Sequence, residues 1–240
     1  FENIKKISFL FFPFLILIIP FVFVVIQPDL GTSLSIIILG VFILFIAGVR
    51  IWKFILGLIV TMVSIPVVLK FIKPYQRDRI VSFLNPESDP LGQGYQLIQS
   101  KIALGSGGAT GKGFLEGTQS YLEYLPEKQT DFIFTLIGEE FGFLGTMFII
   151  FTFVLLIAVC YFISIKCFHT FGRILALGVA SNVFIYVFMN IAMVSGLMPV
   201  VGIPLPLISY GGSVMLSIMI SMGLVLNVEL NYNLKKLHHA

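Results

Sequence analysis

Residues 142–165 read GFLGTMFIIFTFVLLIAVCYFISI, 24 positions without one Asp, Glu, Lys or Arg. A bilayer hydrocarbon core about 30 Å thick needs about 20 such residues in a helix, so this stretch predicts a transmembrane span. Working outward, five further apolar runs fall at roughly 7–26, 34–49, 54–72, 174–194 and 211–228. The second and the last of the six are slightly short, which fits helices that continue into polar turns. Pro13, Pro20 and Pro66 lie inside spans, where neighbouring helices can satisfy the carbonyls that proline frees. The whole chain agrees: of 240 residues, 58% are hydrophobic and 11% charged, with a mean hydropathy of +1.02. A soluble domain carries about 25% charged residues. So little charge cannot cover a soluble fold, which excludes a cytosolic or secreted enzyme. The expected fold class is an all-α polytopic membrane protein, a single integral membrane domain over 1–240 with about six transmembrane helices.

Smaller counts narrow the class. Cys160 and Cys167 cannot form a disulfide framework or a metal cluster, and read as small apolar filler. A net charge of +3 is too weak to indicate nucleic acid; in a membrane protein the placement of cations matters more than their sum. Numbering the span ends alternately, one side holds Lys5, Lys6, Arg50, Lys53, Lys166, Arg173, Lys235 and Lys236. The short connections on the other side, 27–33 and 195–210, hold no Lys or Arg. Eight against zero makes the cationic side cytoplasmic, the C-terminus included, and Trp52 fits an interface anchor there. The chain begins with Phe1, and no n-region or cleavage site precedes its first apolar run. A fragment lacking an upstream part is expected.

The stretch 73–130 then lies outside, too long for an ordinary connection. Its aromatics Tyr75, Phe83, Tyr95, Phe114, Tyr121 and Tyr124 argue for order. Tyr95, Ile98 and Ile102 share one face of a candidate short helix, with Gln99 and Lys101 off it. The expectation is a large, ordered extracytoplasmic loop.

That loop ends in Pro126-Glu127-Lys128-Gln129-Thr130-Asp131 and runs straight into Phe132-Ile133-Phe134. Asp131 is the last polar residue before the apolar helix, at the outer membrane boundary. It can act as a helix N-cap. Alternatively, Thr135, Gly138, Gly142 and Gly145 fall within about 40° of it on a helical wheel, a small stripe that lets a backbone or ligand approach. Phe132, Phe134, Phe141 and Phe143 lie away from that stripe. Glu139 and Glu140 follow inside or at the edge of the apolar region; they are functional candidates or pair with a cation in the missing part.

Two other elements lie on the same side. In Gln27-Pro28-Asp29-Leu30-Gly31-Thr32-Ser33, Asp29 or Thr32 can cap the next helix, or Gln27 and Asp29 line a cavity with Asp131. Pro199-Val200-Val201-Gly202-Ile203-Pro204-Leu205-Pro206, followed by Ser209-Tyr210-Gly211-Gly212-Ser213, is uncharged. Three prolines and three glycines in 15 residues forbid a regular helix there. Broken backbone at membrane depth survives only when buried in protein or lining a polar cavity.

Two motifs mislead. Gly105-Ser106-Gly107-Gly108-Ala109-Thr110-Gly111-Lys112-Gly113 looks like a phosphate loop. The loop requires Gly six residues before the Lys and Ser or Thr after it, where this chain has Ser106 and Gly113. The dinucleotide fingerprint from Gly105 and Gly107 fails at Thr110. His238 and His239 have no partners in sequence and read as a solvated tail.

The chain resembles the SEDS family (shape, elongation, division and sporulation), which polymerises peptidoglycan glycan strands. The matching motifs are QPDLGTS at Gln27, NPESDPLGQGYQLIQSKIALGSGG from Asn85, GTQS at Gly117, LEYLPEKQTDFIF from Leu122, GEEFG at Gly138 and PVVGIPLPLISYGGS from Pro199. The wording GSGGATGKG with GTQS, and the PVVGIPLP form, resembles the rod-shape branch. The resemblance implies a ten-helix membrane fold in a bacterial inner membrane, of which the six spans here are the last six. The absent N-terminal part would contribute a Gln-Pro-Ser-Glu motif and cavity-lining helices.

By the same resemblance, lipid II is polymerised during cell elongation, with Asp131 as general base for attack of a GlcNAc hydroxyl on the anomeric carbon of the donor MurNAc, with inversion. The leaving polyprenyl diphosphate needs a cation; Lys101, Lys112, Lys128, Arg77 and Arg79 are the outer-side candidates. Gln27, Asp29, Lys101, Lys112, Lys128, Thr130 and Ser209 form the expected substrate-binding set. The cofactor stays open: a divalent cation would suit the diphosphate, and no protein metal site is readable. The implied partners are lipid II and the nascent glycan strand, a class B penicillin-binding protein transpeptidase, other elongation-complex proteins and membrane lipids, without nucleic acid. Two alternatives stand beside this reading. A flippase would show inverted repeats and polar groups on both sides, and a scaffold for a transpeptidase would make Asp131 only a cap.

Overall fold

In a computed structural model that describes residues 10–71, 74–89, 92–121 and 127–238, every regular element is helical. The order is α1 (Phe11–Ile26), α2 (Leu30–Ile46), α3 (Ile51–Phe71), α4 (Pro74–Leu84), a 3-10 turn (Pro86–Ser88), α5 (Gln93–Ser106), α6 (Thr118–Tyr121), α7 (Ile133–Lys166), α8 (Thr170–Val194) and α9 (Gly212–His238). Helices α7, α8 and α9 (over Gly212–Asn231) are long and apolar enough to cross a membrane, while α1, α2 and α3 (over Ile51–Pro66) are shorter apolar helices. The six fall on the six apolar runs of the sequence, and the last three reach membrane-crossing length, as an all-α polytopic membrane protein requires. Of the expected features, Lys5, Lys6, Tyr124, Pro126 and His239 lie outside the described residues.

The chain divides into two units, Phe1–Asp78 and Arg79–Ala240. In the first, α1 and α2 form a hairpin whose turn is tied by local bonds. The Gln27 N–H donates to the Phe23 and Val24 carbonyls at 3.2 and 3.1 Å, and Asp29 Oδ1 accepts the Thr32 N–H at 2.9 Å. Asp29 is therefore the N-cap of α2, the simpler of its two readings. Helix α2 buries Gly31 and Ser35 on one side and Ser33 and Gly40 on the opposite one, small residues that permit close helix approach.

In the second unit, α7, α8 and α9 pack along two apolar clusters. One gathers Leu97, Phe132, Phe134, Phe153, Val183, Val187, Met193, Val194, Val200 and Leu205. The other holds Cys160, Ile163, Ala176, Ala180 and Val225. Both thiols are buried, as filler should be. Phe148, Phe151, Leu155 and Phe162 of α7 and Leu216 and Ile220 of α9 face outward, as helices in hydrocarbon require.

Two helices differ from the sequence reading. Helix α5 is present, but its buried face is Leu97, Ser100 and Ala103, while Ile102 is exposed. Small and polar residues won that face because Ser100 bridges two helices: its hydroxyl lies 2.8 Å from Thr135 Oγ1 and donates to the Val194 carbonyl at 2.8 Å. Helix α7 starts at Ile133, just after Asp131 as expected, and Gly138, Glu139, Glu140 and Gly142 ahead of the apolar run are buried against protein. It is not continuous, however: Gly142 has φ 66 and ψ −159, so the stripe drawn from Asp131 to Gly145 breaks there.

The glycine-rich loop explains that break. Around Gly142 the helix loses its internal bonds, and the loop replaces them strand-like. The Lys112 and Gly113 N–H groups donate to the Glu139 and Glu140 carbonyls at 3.0 and 3.1 Å. The Phe143 and Leu144 N–H groups donate to the Gly108 and Ala109 carbonyls at 2.9 and 3.1 Å. Backbone lies against backbone, and a Cβ at Gly142 would collide with the Gly111 nitrogen. The apparent phosphate loop is a splint for a kinked helix. Gly142→Ala should loosen it, because that backbone conformation is essentially confined to glycine and costs other residues about 1–3 kcal/mol. The expected readout is faster proteolytic cleavage within 107–117 of the membrane-embedded protein, together with a lowered melting temperature.

Candidate active site

The segment 127–132 is a tight turn between the loop and α7. The Thr130 and Phe132 N–H groups both donate to the Glu127 carbonyl, at 3.3 and 3.2 Å. The Thr130 hydroxyl donates to Glu127 Oε2 at 2.8 Å. Phe132, 1% exposed, anchors the turn in the core and is itself the N-cap residue of α7, with no side-chain cap bond. Asp131 is thus not the N-cap of α7.

The turn's three successive carbonyls point to the broken segment and to α8. The Gln129 carbonyl accepts the Tyr210 N–H at 2.9 Å. The Thr130 carbonyl accepts the Ser209 hydroxyl, and Ser209 Oγ in turn accepts the Leu205 N–H at 2.7 Å. The Asp131 carbonyl accepts Asn190 Nδ2 at 2.8 Å, and the same amide group donates to the Ile203 carbonyl at 2.6 Å. As expected, residues 199–211 form no helix. Gly202, at φ +73, brings this segment against the half-buried Asp131: a Cβ there would sit 3.2 Å from Asp131 Oδ2. The backbone carrying the carboxylate is therefore fixed from two sides, and Gly202 lies close to its side chain.

A second polar cluster lies further along α7. Glu139 is 0% exposed and pairs with Lys112 at 2.7 Å. Its Oε1 also accepts the Gln119 N–H at 3.0 Å and lies 3.3 Å from the Thr118 hydroxyl, while Lys112 Nζ donates to Thr118 Oγ1 at 2.9 Å. The cation for Glu139 comes from the loop, so the expected pairing with a missing part is corrected. Sequence could not reveal this pair, because the glycines between the partners hide how the loop folds back.

The expected site residues divide accordingly. Lys128, Thr130, Asp131 and Ser209 meet at the turn and the broken segment. Lys101 lies over Gly196, in the turn closing α8, where a Cβ would collide with its Cε. Lys112 is engaged with Glu139. Gln27, Asp29 and the exposed Arg77 belong to the first unit. Arg79 opens the second unit, and its buried Nη1 has no hydrogen-bond partner among the described residues. The sequence reading missed Asn190. An amide inside the apolar run 174–194 must find partners, and that was the available signal.

Residues 2–234 match the model of the FTSW_RODA_SPOVE family, described as a cell cycle protein. The peptidoglycan glycosyltransferase MrdB of Escherichia coli (strain K12) is 48% identical over 217 residues, covering 89% of this chain and 58% of that protein. The probable peptidoglycan glycosyltransferase FtsW of Trichlorobacter lovleyi is 41% identical over 239 residues, covering 98% of this chain and 62% of that one. A chain from a solved structure on polymerization and crosslinking by a peptidoglycan synthase complex superposes with a TM-score of 0.75 at 33% identity. It covers 92% of this chain and 61% of that chain. The rod shape determining protein RodA of Thermus thermophilus shares the fold at a TM-score of 0.60 and 24% identity, over 92% of this chain and 56% of that one. This chain therefore spans about three fifths of the length of the relatives it matches. It belongs to the FTSW_RODA_SPOVE family, the SEDS proteins of cell shape, elongation, division and sporulation.

Proposed function

We propose that this chain carries the catalytic centre of a peptidoglycan glycosyltransferase that polymerises lipid II into glycan strands during cell elongation. The observation that carries the reading is the mounting of Asp131. Three consecutive carbonyls of its turn are bonded to α8 and to the broken segment, while its carboxylate is left half-buried at the end of a membrane helix. Rigid support for one carboxylate suits general base catalysis, which needs the base within hydrogen-bond reach of the proton it takes.

In the proposed step, a GlcNAc hydroxyl of one chain end loses its proton to Asp131. Its oxygen forms a bond to the anomeric carbon of the donor MurNAc, from the face opposite the leaving group. The bond from that carbon to the diphosphate oxygen breaks, and polyprenyl diphosphate departs with the electron pair, so the configuration inverts. Lys101 and Lys128 are the proposed cations for the diphosphate, and Thr130 and Ser209 its proposed hydroxyl contacts. The elongation role is supported by the higher identity to MrdB than to FtsW. The proposed setting is a bacterial cytoplasmic membrane, with the start of α7 at the outer face and the C-terminus in the cytoplasm. Its proposed partner is a crosslinking enzyme, a class B penicillin-binding protein.

The test is polymerisation of purified lipid II by the full-length protein, with and without that partner. Glycan strands longer than the precursor are expected. Transfer of lipid II across the bilayer without polymer would replace the reading by transport.

A further inference from the structure

Asn190 stands out among the buried polar groups. It is 0% exposed, it lies near the end of α8, and its Nδ2 donates at once to the Asp131 and Ile203 carbonyls, 2.8 and 2.6 Å away. Only an amide nitrogen can serve two carbonyls, which fixes the orientation of the group. Its Oδ1 is buried with no hydrogen-bond partner among the described residues. An amide that leaves its own acceptor bare is a poor device for stability alone, since an unmade buried bond offsets much of what the made ones contribute. What the group does geometrically is tie three things together: α8, the turn bearing Asp131, and the broken segment whose Gly202 faces the Asp131 carboxylate.

We infer that Asn190 is a positioning residue for the Asp131 carboxylate, setting its distance from Gly202. The inference rests on the reading of Asp131 as the base. Asn190 touches no reacting atom and acts through the backbone of residue 131. A base displaced by about 1 Å can lose about a hundredfold in rate while the substrate still binds, so the signature is a fall in kcat with KM unchanged. The Ser209 hydroxyl and the Tyr210 N–H still hold residues 129 and 130 when Asn190 is altered, so the turn should persist.

The experiment uses the full-length protein in proteoliposomes with lipid II as substrate. Asn190→Leu keeps a similar volume and cannot donate; Asn190→Gln keeps the donor on a longer arm. Asn190→Leu is expected to lower kcat about tenfold to a hundredfold with KM within about twofold, and Asn190→Gln is expected to recover part of the loss. Introduced into an Asp131→Asn background, Asn190→Leu is expected to subtract nothing from the residual rate, because two changes acting through one group are not additive. Wild-type kcat in a folded Asn190→Leu protein would overturn the proposal, and so would a raised KM at unchanged kcat. A full further loss in the Asp131→Asn background would also overturn it, by showing a route that bypasses the carboxylate. If Asp131→Asn itself polymerises normally, it is the base assignment that fails. If Asn190→Leu does not fold, Asn190→Gln and Asn190→Asp decide by the same split between kcat and KM.

Discussion

Asp131→Asn is expected to reduce lipid II polymerisation by about two to four orders of magnitude, the usual worth of a positioned general base. The turn keeps its backbone ties: the carbonyls of 129, 130 and 131 accept from Tyr210, Ser209 and Asn190. The amide is isosteric with the carboxylate and fits the same clearance against Gly202. A melting temperature matching wild type is the control that assigns the loss to chemistry. The measurement is the length distribution of glycan made from purified precursor by the full-length variant. Polymer made at an undiminished rate would remove Asp131 as the base and leave it a structural residue of the turn.

What could be read from the amino-acid sequence followed physical scale. A membrane span is announced by some twenty apolar residues in a row, so all six were visible, as was the refusal of 199–210 to form a helix, dictated by Pro199, Gly202, Pro204 and Pro206. Asp131 was visible because a carboxylate at the edge of an apolar helix is costly and conspicuous. What escaped depended on backbone placed against backbone. The wheel drawn through Gly142 assumed an unbroken helix, since glycine declares freedom without declaring how it is used. The face of α5 was misjudged because apolar periodicity favours Ile102, whereas the packing is decided by Ser100 and its bonds to Thr135 and Val194. Asn190 was overlooked for the opposite reason. One amide in a long apolar run scarcely alters hydropathy, yet the low dielectric there makes its two bonds count for more than their number suggests.

Lys112→Met is expected to be the most destabilising change in the loop, because it takes the ammonium away from a carboxylate that has no access to water. Glu139 is 0% exposed, whereas the side chain of Lys112 is 26% exposed. Removing the cation from a buried pair costs about 3–5 kcal/mol, since the remaining charge stays desolvated without that counter-ion. Removing the anion is milder, because a partly exposed ammonium can turn to water. The two single variants should therefore differ, with Lys112→Met well below Glu139→Gln in melting temperature and in resistance of residues 107–117 to protease. The double variant Lys112→Met/Glu139→Gln replaces the pair by neutral groups, and Gln can still accept from the Gln119 N–H that Glu139 now holds. It should recover most of the stability. The same double variant also decides what Lys112 is for. If the lysine serves as a latch that clamps the loop onto the break at Gly142, restoring the fold restores polymerisation along with it. If the lysine instead takes part in holding the diphosphate, the double variant will be stable and still slow, with a raised KM for lipid II. Equal destabilisation by both single variants would refute the buried-charge argument itself, by showing that solvent reaches Glu139 as readily as Lys112.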